Sequence, residues 1–276
     1  MIFIHKRKSM KKIYWRLAEH NAYIGIQCKE YQKRHKFIWG RRWWFLIKCT
    51  VRNWFRGNYK GCYITEDEIL KKISEYEIIS FDIFDTLLVR PYKKPTDLFY
   101  DLEKQRGIPG FAEKRIFAEK MARKENKISE DIKLEQIYEV LDASYKKFMK
   151  MEIELEQEVL HSNKNIKKIY DEADKLQRKI IVVSDMYLSK ELLSNILKYN
   201  GYRGYENLFV SSDLGVTKRS GNMFFYVMKR MNKLPQSFLH IGDDFYSDGN
   251  ACWKAGMSYL YVDRTEEKYV LVECGK

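Results

Sequence analysis

The chain has 276 residues, enough for one substantial catalytic domain with an insert or a small extra module. Its 45% hydrophobic content and four prolines exclude a largely disordered protein. The net charge of +13 is unevenly placed: residues 1–64 hold 16 Lys and Arg against two acids, whereas the remainder carries 35 bases and 36 acids.

The first segment, residues 1–64, also holds five of the six tryptophans, so a module border falls near Thr65. Lys6, Arg7, Lys8, Lys11 and Lys12 are followed by no apolar h-region, which argues against a signal peptide. No apolar run near the start approaches the roughly 18 residues of a spanning helix. Trp39, Trp43, Trp44, Ile47, Val51, Trp54 and Phe55 recur at spacings of about four, interleaved with Arg41, Arg42, Lys48, Arg52 and Arg56. As a helix, this gives an aromatic face beside a cationic one, the pattern of an interfacial membrane helix. An anionic membrane surface or a membrane-bound partner is therefore the expected contact of residues 1–64. Packing on protein is the second reading, and nucleic acid is disfavoured as a partner. Five widely spaced cysteines without a C-x-x-C pair point to reduced thiols. The expectation is a cytoplasmic protein, docked peripherally at the inner membrane face.

Thr65-Glu66-Asp67-Glu68 is an N-cap signature opening a short helix through Ser74. Residues 77–82 read as a buried strand ending in an acid. From Pro91 to Lys179 the pattern is helical, with a helix stopping at Gly107 and others near 111–126, 134–160 (broken near Ala143) and 163–178. Strands are expected at 179–185, 207–211, 238–243 and 259–262, separated by helices at 190–199, 221–232 and 248–255. This alternation predicts an α/β fold: a Rossmann-like parallel sheet with helices on both faces. The helical stretch is too long for a simple crossover and reads as an inserted cap. The expected division is residues 1–64 as a basic extension, 65–90 and 180–276 as the core, and 91–179 as the cap.

Three strands finish in polar residues: Asp82, Ser184-Asp185 and Asp243-Asp244. Ligands of open parallel sheets sit beyond the carboxyl ends of the strands. Carboxylates converging there repel one another and need a cation, and an all-oxygen set points to Mg²⁺.

Four segments, in order, resemble the motifs of the haloacid dehalogenase superfamily. They are Phe81-Asp82-Ile83-Phe84-Asp85-Thr86-Leu87-Leu88, Ser184 after an apolar run, Lys218 in Thr217-Lys218-Arg219, and Gly242-Asp243-Asp244 with Asp248. The match covers about residues 77–264. The F-D-I-F-D-T-L-L and S-D-M-Y-L versions look closest to a bacterial group associated with surface-polysaccharide biosynthesis. The resemblance implies Asp82 as the nucleophile that forms an aspartyl-phosphate. It implies Mg²⁺ held by Asp82, the Phe84 carbonyl, Asp243 and Asp248. Thr86, Ser184, Asp185 and Lys218 would bind the substrate phosphate. One departure stands out: Phe84 occupies the position where superfamily phosphatases carry a second Asp as general acid, and Asp85 comes one residue later. Asp85 is the candidate replacement, if a turn brings it round. Arg90 could meet an anionic substrate, Asp244 stands beside a motif acid, and His161 and His240 read as structural.

The expected function is Mg²⁺-dependent hydrolysis of a small phosphorylated metabolite. The alternatives are a weakly active or inactive scaffold at the membrane and a phosphonate-cleaving enzyme that uses a cap lysine.

Overall fold

The computed structural model describes residues 13–18, 21–34, 39–55, 61–263 and 268–274. Lys6, Arg7, Lys8, Lys11, Lys12 and Arg56 lie outside these residues, as do the side chains of Trp39, Arg52, Trp54 and Phe55. The elements in chain order begin with α1 (residues 13–18), α2 (Ala22–Arg34), α3 (Trp39–Phe55), β1 (Gly61–Ile64) and α4 (Glu66–Lys72). Next come β2 (Ile78–Phe81), β3 (Leu88–Val89), α5 (Asp97–Arg106), α6 (Phe111–Glu125), α7 (Leu134–Val140), α8 (Phe148–Val159) and β4 (His161–Ser162). They continue with α9 (Lys164–Lys175), β5 (Lys179–Ser184), α10 (Lys190–Tyr199), β6 (Asn207–Val210), α11 (Ser211–Leu214) and α12 (Asn222–Met231). The last are β7 (Phe238–Gly242), α13 (Ala251–Lys254), β8 (Ser258–Asp263) and β9 (Lys268–Val272).

Seven strands form one sheet in the order β1-β9-β8-β7-β2-β5-β6. The strands from β8 to β6 are parallel, and β9 and β1 add an antiparallel edge. Side chains alternate across it. Ile79, Phe81, Ile180, Val182 and Leu260 join one apolar cluster, whereas Ile78, Ile181, Val183, Tyr259 and Tyr261 join the other. Helices α4, α9 and α10 cover the first face; α2, α12 and α13 cover the second. Fully burying one such aliphatic side chain contributes roughly 1.5–3 kcal/mol, so both layers are held by many modest terms.

The five expected strands are present, and β1 and β9 were not anticipated. Gly61 to Ile64 pairs with Val272 to Tyr269, so the sheet takes in residues from before the composition border at Thr65. The predicted Thr65 cap is there as a capping box with Glu68, and α5 ends at Gly107 with φ +61°. The expected break near Ala143 is a single turn of 3₁₀ helix between α7 and α8.

Helices α5 to α8 are inserted between β3 and β4. These two strands pair side by side (Leu88 with Ser162, Val89 with His161) and form the neck of the insertion. The neck closes at Ser162, so α9 belongs with the sheet, where Ile166, Ile169 and Tyr170 are buried against it. The inserted bundle is thus shorter at its C-terminal end than the expected span of 91–179. Its interior is pinned by Arg115, whose Nε and Nη2 each donate to Glu152 at 2.8 Å, with the Tyr138 hydroxyl donating to the same carboxylate at 2.7 Å. The Arg115 guanidinium also stacks over Tyr187, which follows β5, at 5.1 Å.

Candidate active site

Strand β2 lies between β5 and β7, where the chain leaves toward β6 on one side and returns to β7 and β8 on the other. A crevice at such a switch point is where open α/β sheets bind ligands. Asp82 is the residue immediately after β2, held by its N–H donating to Ile241 O at 2.9 Å. The turn that follows is tight: Leu87 N–H donates to Asp82 O, Leu88 N–H to Ile83 O at 2.8 Å, and Asp85 N–H to Leu88 O at 2.7 Å.

Carboxylate oxygens of Asp82, Asp243 and Asp248 lie within 4.8 Å of one another. Lys218, buried on the loop before α12, donates from Nζ to Asp82 Oδ1 and to Asp248 Oδ1, each at 2.5 Å. Three carboxylates gathered about one ammonium suit a divalent cation. The donors are all oxygen and close enough to share one ion, so the residues fit a hard cation such as Mg²⁺.

One further observation bears on ligand binding. The hydroxyls of Thr86 and Ser184 are buried without a hydrogen-bond partner among the described residues. Buried polar groups are nearly always satisfied, so these two hydroxyls, one in the turn after β2 and one at the end of the adjacent β5, have hydrogen-bonding capacity to offer a polar ligand.

Burial raises the Asp82 carboxyl to about 7; Lys218 opposes this and Asp248 adds to it. Burial acts on Asp248 in the same direction, but Lys218 and His240 outweigh it and hold its carboxyl below the usual range. Lys218 is raised: burial works against its charge, and Asp248, Asp82 and Asp185 more than compensate.

Asp248 sits in one turn of π-helix, Phe245–Asn250, and not in the helix expected at 248–255. Its Oδ2 accepts the Asp244 N–H at 3.0 Å. An added Cβ on Gly242 would fall 2.4 Å from the Asp248 side chain, so only glycine admits this carboxylate to the end of β7. Asp244 caps the turn, its Oδ1 accepting from Tyr246 N, Ser247 N and Ser247 Oγ.

Asp185 accepts the main-chain N–H groups of Lys218 at 2.7 Å and Arg219 at 3.1 Å. In this arrangement it holds the lysine loop. Asp85 has φ +63°, and its charge is felt at Glu156 of α8 in the cap. It is not part of the group formed by Asp82, Asp243 and Asp248. Arg90 pairs with Glu156 at 3.0 Å and lies 4.7 Å over the Phe84 ring.

Sequence reading missed two participants. His240, whose sequence context reads as structural, contacts Asp248 Oδ1 through Nε2 at 3.2 Å and the Ser80 hydroxyl through Nδ1 at 2.8 Å. Burial lowers its pKa, so it is neutral, and the tautomer carrying Nε2–H fits both partners. The signal available was a histidine inside an otherwise apolar strand. Glu130, between α6 and α7, accepts from Thr217 and Ser220 and from the Asn222 amide; nothing in its local sequence pointed to the lysine loop.

No protein-family model matches the chain, and no curated protein matches it. Solved structures do. The chain is similar to the HAD-hydrolase YfnB from Bacillus subtilis bound to magnesium, at 16% identity and a TM-score of 0.52, over 68% of this chain and 89% of that one. It is similar to a haloacid dehalogenase-like family hydrolase from Xanthomonas campestris, at 12% identity and a TM-score of 0.51, over 70% and 84%. The fold is haloacid dehalogenase-like. A third similar structure, L-2-haloacid dehalogenase from Xanthobacter autotrophicus with chloropropionic acid covalently bound, aligns at 14% identity and a TM-score of 0.50 over 68% and 78%. The haloacid dehalogenase-like fold thus hosts more than one reaction, and the choice between them falls to the site's own residues.

Proposed function

We propose that this chain is a divalent-cation-dependent phosphohydrolase acting on a small phosphorylated metabolite through Asp82. The observation that carries the reading is the group of buried Asp82 and Asp248 with half-buried Asp243, and Lys218 bonded to two of its members. A dehalogenase needs no cation, so a site with this much negative charge favours phosphate chemistry. The Bacillus subtilis structure, which shares the fold, is bound to magnesium.

Mg²⁺ would be held by Asp82, Asp243 and Asp248, with the Phe84 carbonyl as a further ligand. When bound, it neutralises phosphoryl oxygens and lowers the charge that an incoming carboxylate must meet. Lys218 and the hydroxyls of Thr86 and Ser184 orient the remaining phosphoryl oxygens. A carboxylate oxygen of Asp82 attacks phosphorus in line. The P–O ester bond breaks, the leaving oxygen departs as an anion that takes its proton from water, and an acyl phosphate forms on Asp82. Water then attacks that phosphorus, releasing inorganic phosphate and restoring the carboxylate. A substrate from surface-polysaccharide synthesis is in keeping with the F-D-I-F-D-T-L-L resemblance.

One observation favours a second reading, a weakly active scaffold: Phe84, its ring under the Arg90 guanidinium, stands where a general acid is needed. A phosphate-ester panel with and without Mg²⁺, using Asp82→Asn as control, decides between them. Phosphate release that requires both Mg²⁺ and Asp82 supports the hydrolase. Release that persists in Asp82→Asn sinks it, and no release from any ester leaves the scaffold.

A further inference from the structure

The first helices form a unit of their own. Tyr14 and Ala18 of α1, Ile24 and Cys28 of α2, and Leu46 and Cys49 of α3 make a separate apolar cluster. The Tyr14 ring meets Trp43 edge-on at 5.4 Å, and Tyr31 stacks on Phe45 at 4.0 Å. The opposite surface of α2 anchors the unit to the sheet: Ala22, Tyr23 and Ile26 join the second core cluster, and Tyr23 lies 5.8 Å from Phe245. This packing leaves one face of α3 uncovered. Trp44, Ile47 and Val51 share a stripe at helical spacing and are 63%, 58% and 45% exposed. Ile13 and Leu17 of α1 are exposed as well. Arg16, Arg41 and Lys48 are exposed beside these residues, and the Lys48 ammonium lies 5.1 Å over the Trp44 ring.

We infer that this face of α3, with α1, docks on an anionic lipid bilayer, seating Trp44, Ile47 and Val51 at the headgroup level while the basic residues meet acidic lipid. Charge complementarity selects the occupant. Residues 1–64 carry 16 bases against two acids, so a second copy of this chain would bring like charge to like charge. Anionic headgroups bring the opposite sign. A tryptophan flanked by aliphatics and topped by a lysine suits an interface that is apolar below and wet above. Among the described residues no helix is long and apolar enough to cross a membrane, so the contact lies in the plane of the surface. The inference is independent of the chemistry at Asp82.

The test is flotation of the full chain with phosphatidylcholine vesicles, with and without about a third phosphatidylglycerol, at low and high salt. The expected result is binding to the anionic vesicles alone, weakened by salt. Trp44→Glu with Ile47→Glu should reduce partitioning by tenfold or more, and Arg41→Gln and Lys48→Gln by about fivefold each. All variants should keep the wild-type circular dichroism and hydrolysis of soluble esters. If the Glu pair misfolds, the two Gln variants carry the test alone. Equal binding to neutral vesicles, or none to anionic ones, overturns the inference. So does vesicle binding that the Glu pair leaves unchanged. Concentration-dependent self-association abolished by the Glu pair, in a chain that ignores vesicles, would assign the face to a copy–copy contact instead.

Discussion

The Glu130 carboxylate, carried by the inserted segment between α6 and α7, accepts the main-chain N–H of Thr217 at 2.7 Å, one residue before the buried Lys218. The same carboxylate takes the hydroxyls of Thr217 and Ser220 and the Asn222 amide. A cap residue therefore fixes the loop that aims the lysine. Glu130→Ala should lower kcat/KM for phosphate esters by roughly 10–100-fold through misplacement of Lys218. Because Glu130 is largely exposed, the stability loss should stay near ~1 kcal/mol. Desolvation raises its pKa, but Ser220, Asn222 and Thr217 outweigh that and hold it below the usual range. The clamp is then complete above the unfolded carboxyl value of about 4.3 and is lost as pH falls through the lowered folded value. Urea melts of wild type and Glu130→Gln should differ in the neutral range and converge in acid.

Ser184 separates function from stability. Its hydroxyl is buried and unpartnered among the described residues, so removing it deletes no bond in the free protein. Ser184→Ala should leave the melting temperature unchanged or slightly raised. Turnover should fall by about 10²-fold, since the hydroxyl would first find a partner on the substrate phosphate. Differential scanning fluorimetry beside an esterase assay checks both halves. A large stability loss with normal turnover would contradict this account.

Strand ends and their acids were legible because a parallel strand buried on both faces is a continuous apolar run, and a polar residue after it stands out. That pattern marks Asp82, Ser184 and Asp243. The edge strands β1 and β9 were not legible: Gly61-Cys62-Tyr63-Ile64 is short, and its pairing with residues 269–272 is set by tertiary contact. The direction of Asp85 depended on a positive φ that no pattern announces. Glu130 and His240 act through space on Lys218 and Asp248, and sequence distance hides such partners.

Metal should bind the folded chain and stabilise it. A cation meeting Asp82, Asp243 and Asp248 adds RT ln(1 + [L]/Kd), about 2.7 kcal/mol at a hundredfold excess over Kd. The melting temperature should rise with Mg²⁺ and return on chelation. In Asp243→Asn the rise should shrink, because one anionic ligand is lost.

The Arg90–Glu156 pair gives a stability signature at neutral pH. Burial pushes the Glu156 carboxyl up to about 7, with Arg90 opposing and Glu152 and Asp85 adding to the rise. The folded value lies above the unfolded one, so the group's contribution is fully present below about pH 4.3 and is lost as pH climbs through 7. Glu156→Gln imitates the neutral form. At pH 8 it should be more stable than wild type, on the order of 2 kcal/mol, and at pH 4 indistinguishable. Denaturant midpoints at the two pH values decide.

On the proposed phosphohydrolase reading, the turn after Asp82 decides which esters are cleaved. Phe84 cannot donate a proton, its ring lies under the Arg90 guanidinium, and the charge of Asp85 is felt at Glu156 in the cap. If no acid reaches the leaving oxygen, turnover must depend on how well the alcohol leaves as an anion. Aryl phosphates such as p-nitrophenyl phosphate should then be cleaved far faster than alkyl phosphates. Asp85→Asn should change p-nitrophenyl phosphate turnover by less than about twofold, since general-acid help, where present, is worth roughly 10²–10⁴. Phe84→Asp places a carboxyl two residues after Asp82, where the superfamily resemblance puts the general acid. It should accelerate alkyl esters by up to that factor while leaving the aryl ester nearly unchanged. A flat dependence on leaving group in the wild type would show that a proton donor already serves the site. Loss of that flatness in Asp85→Asn would identify the donor as Asp85.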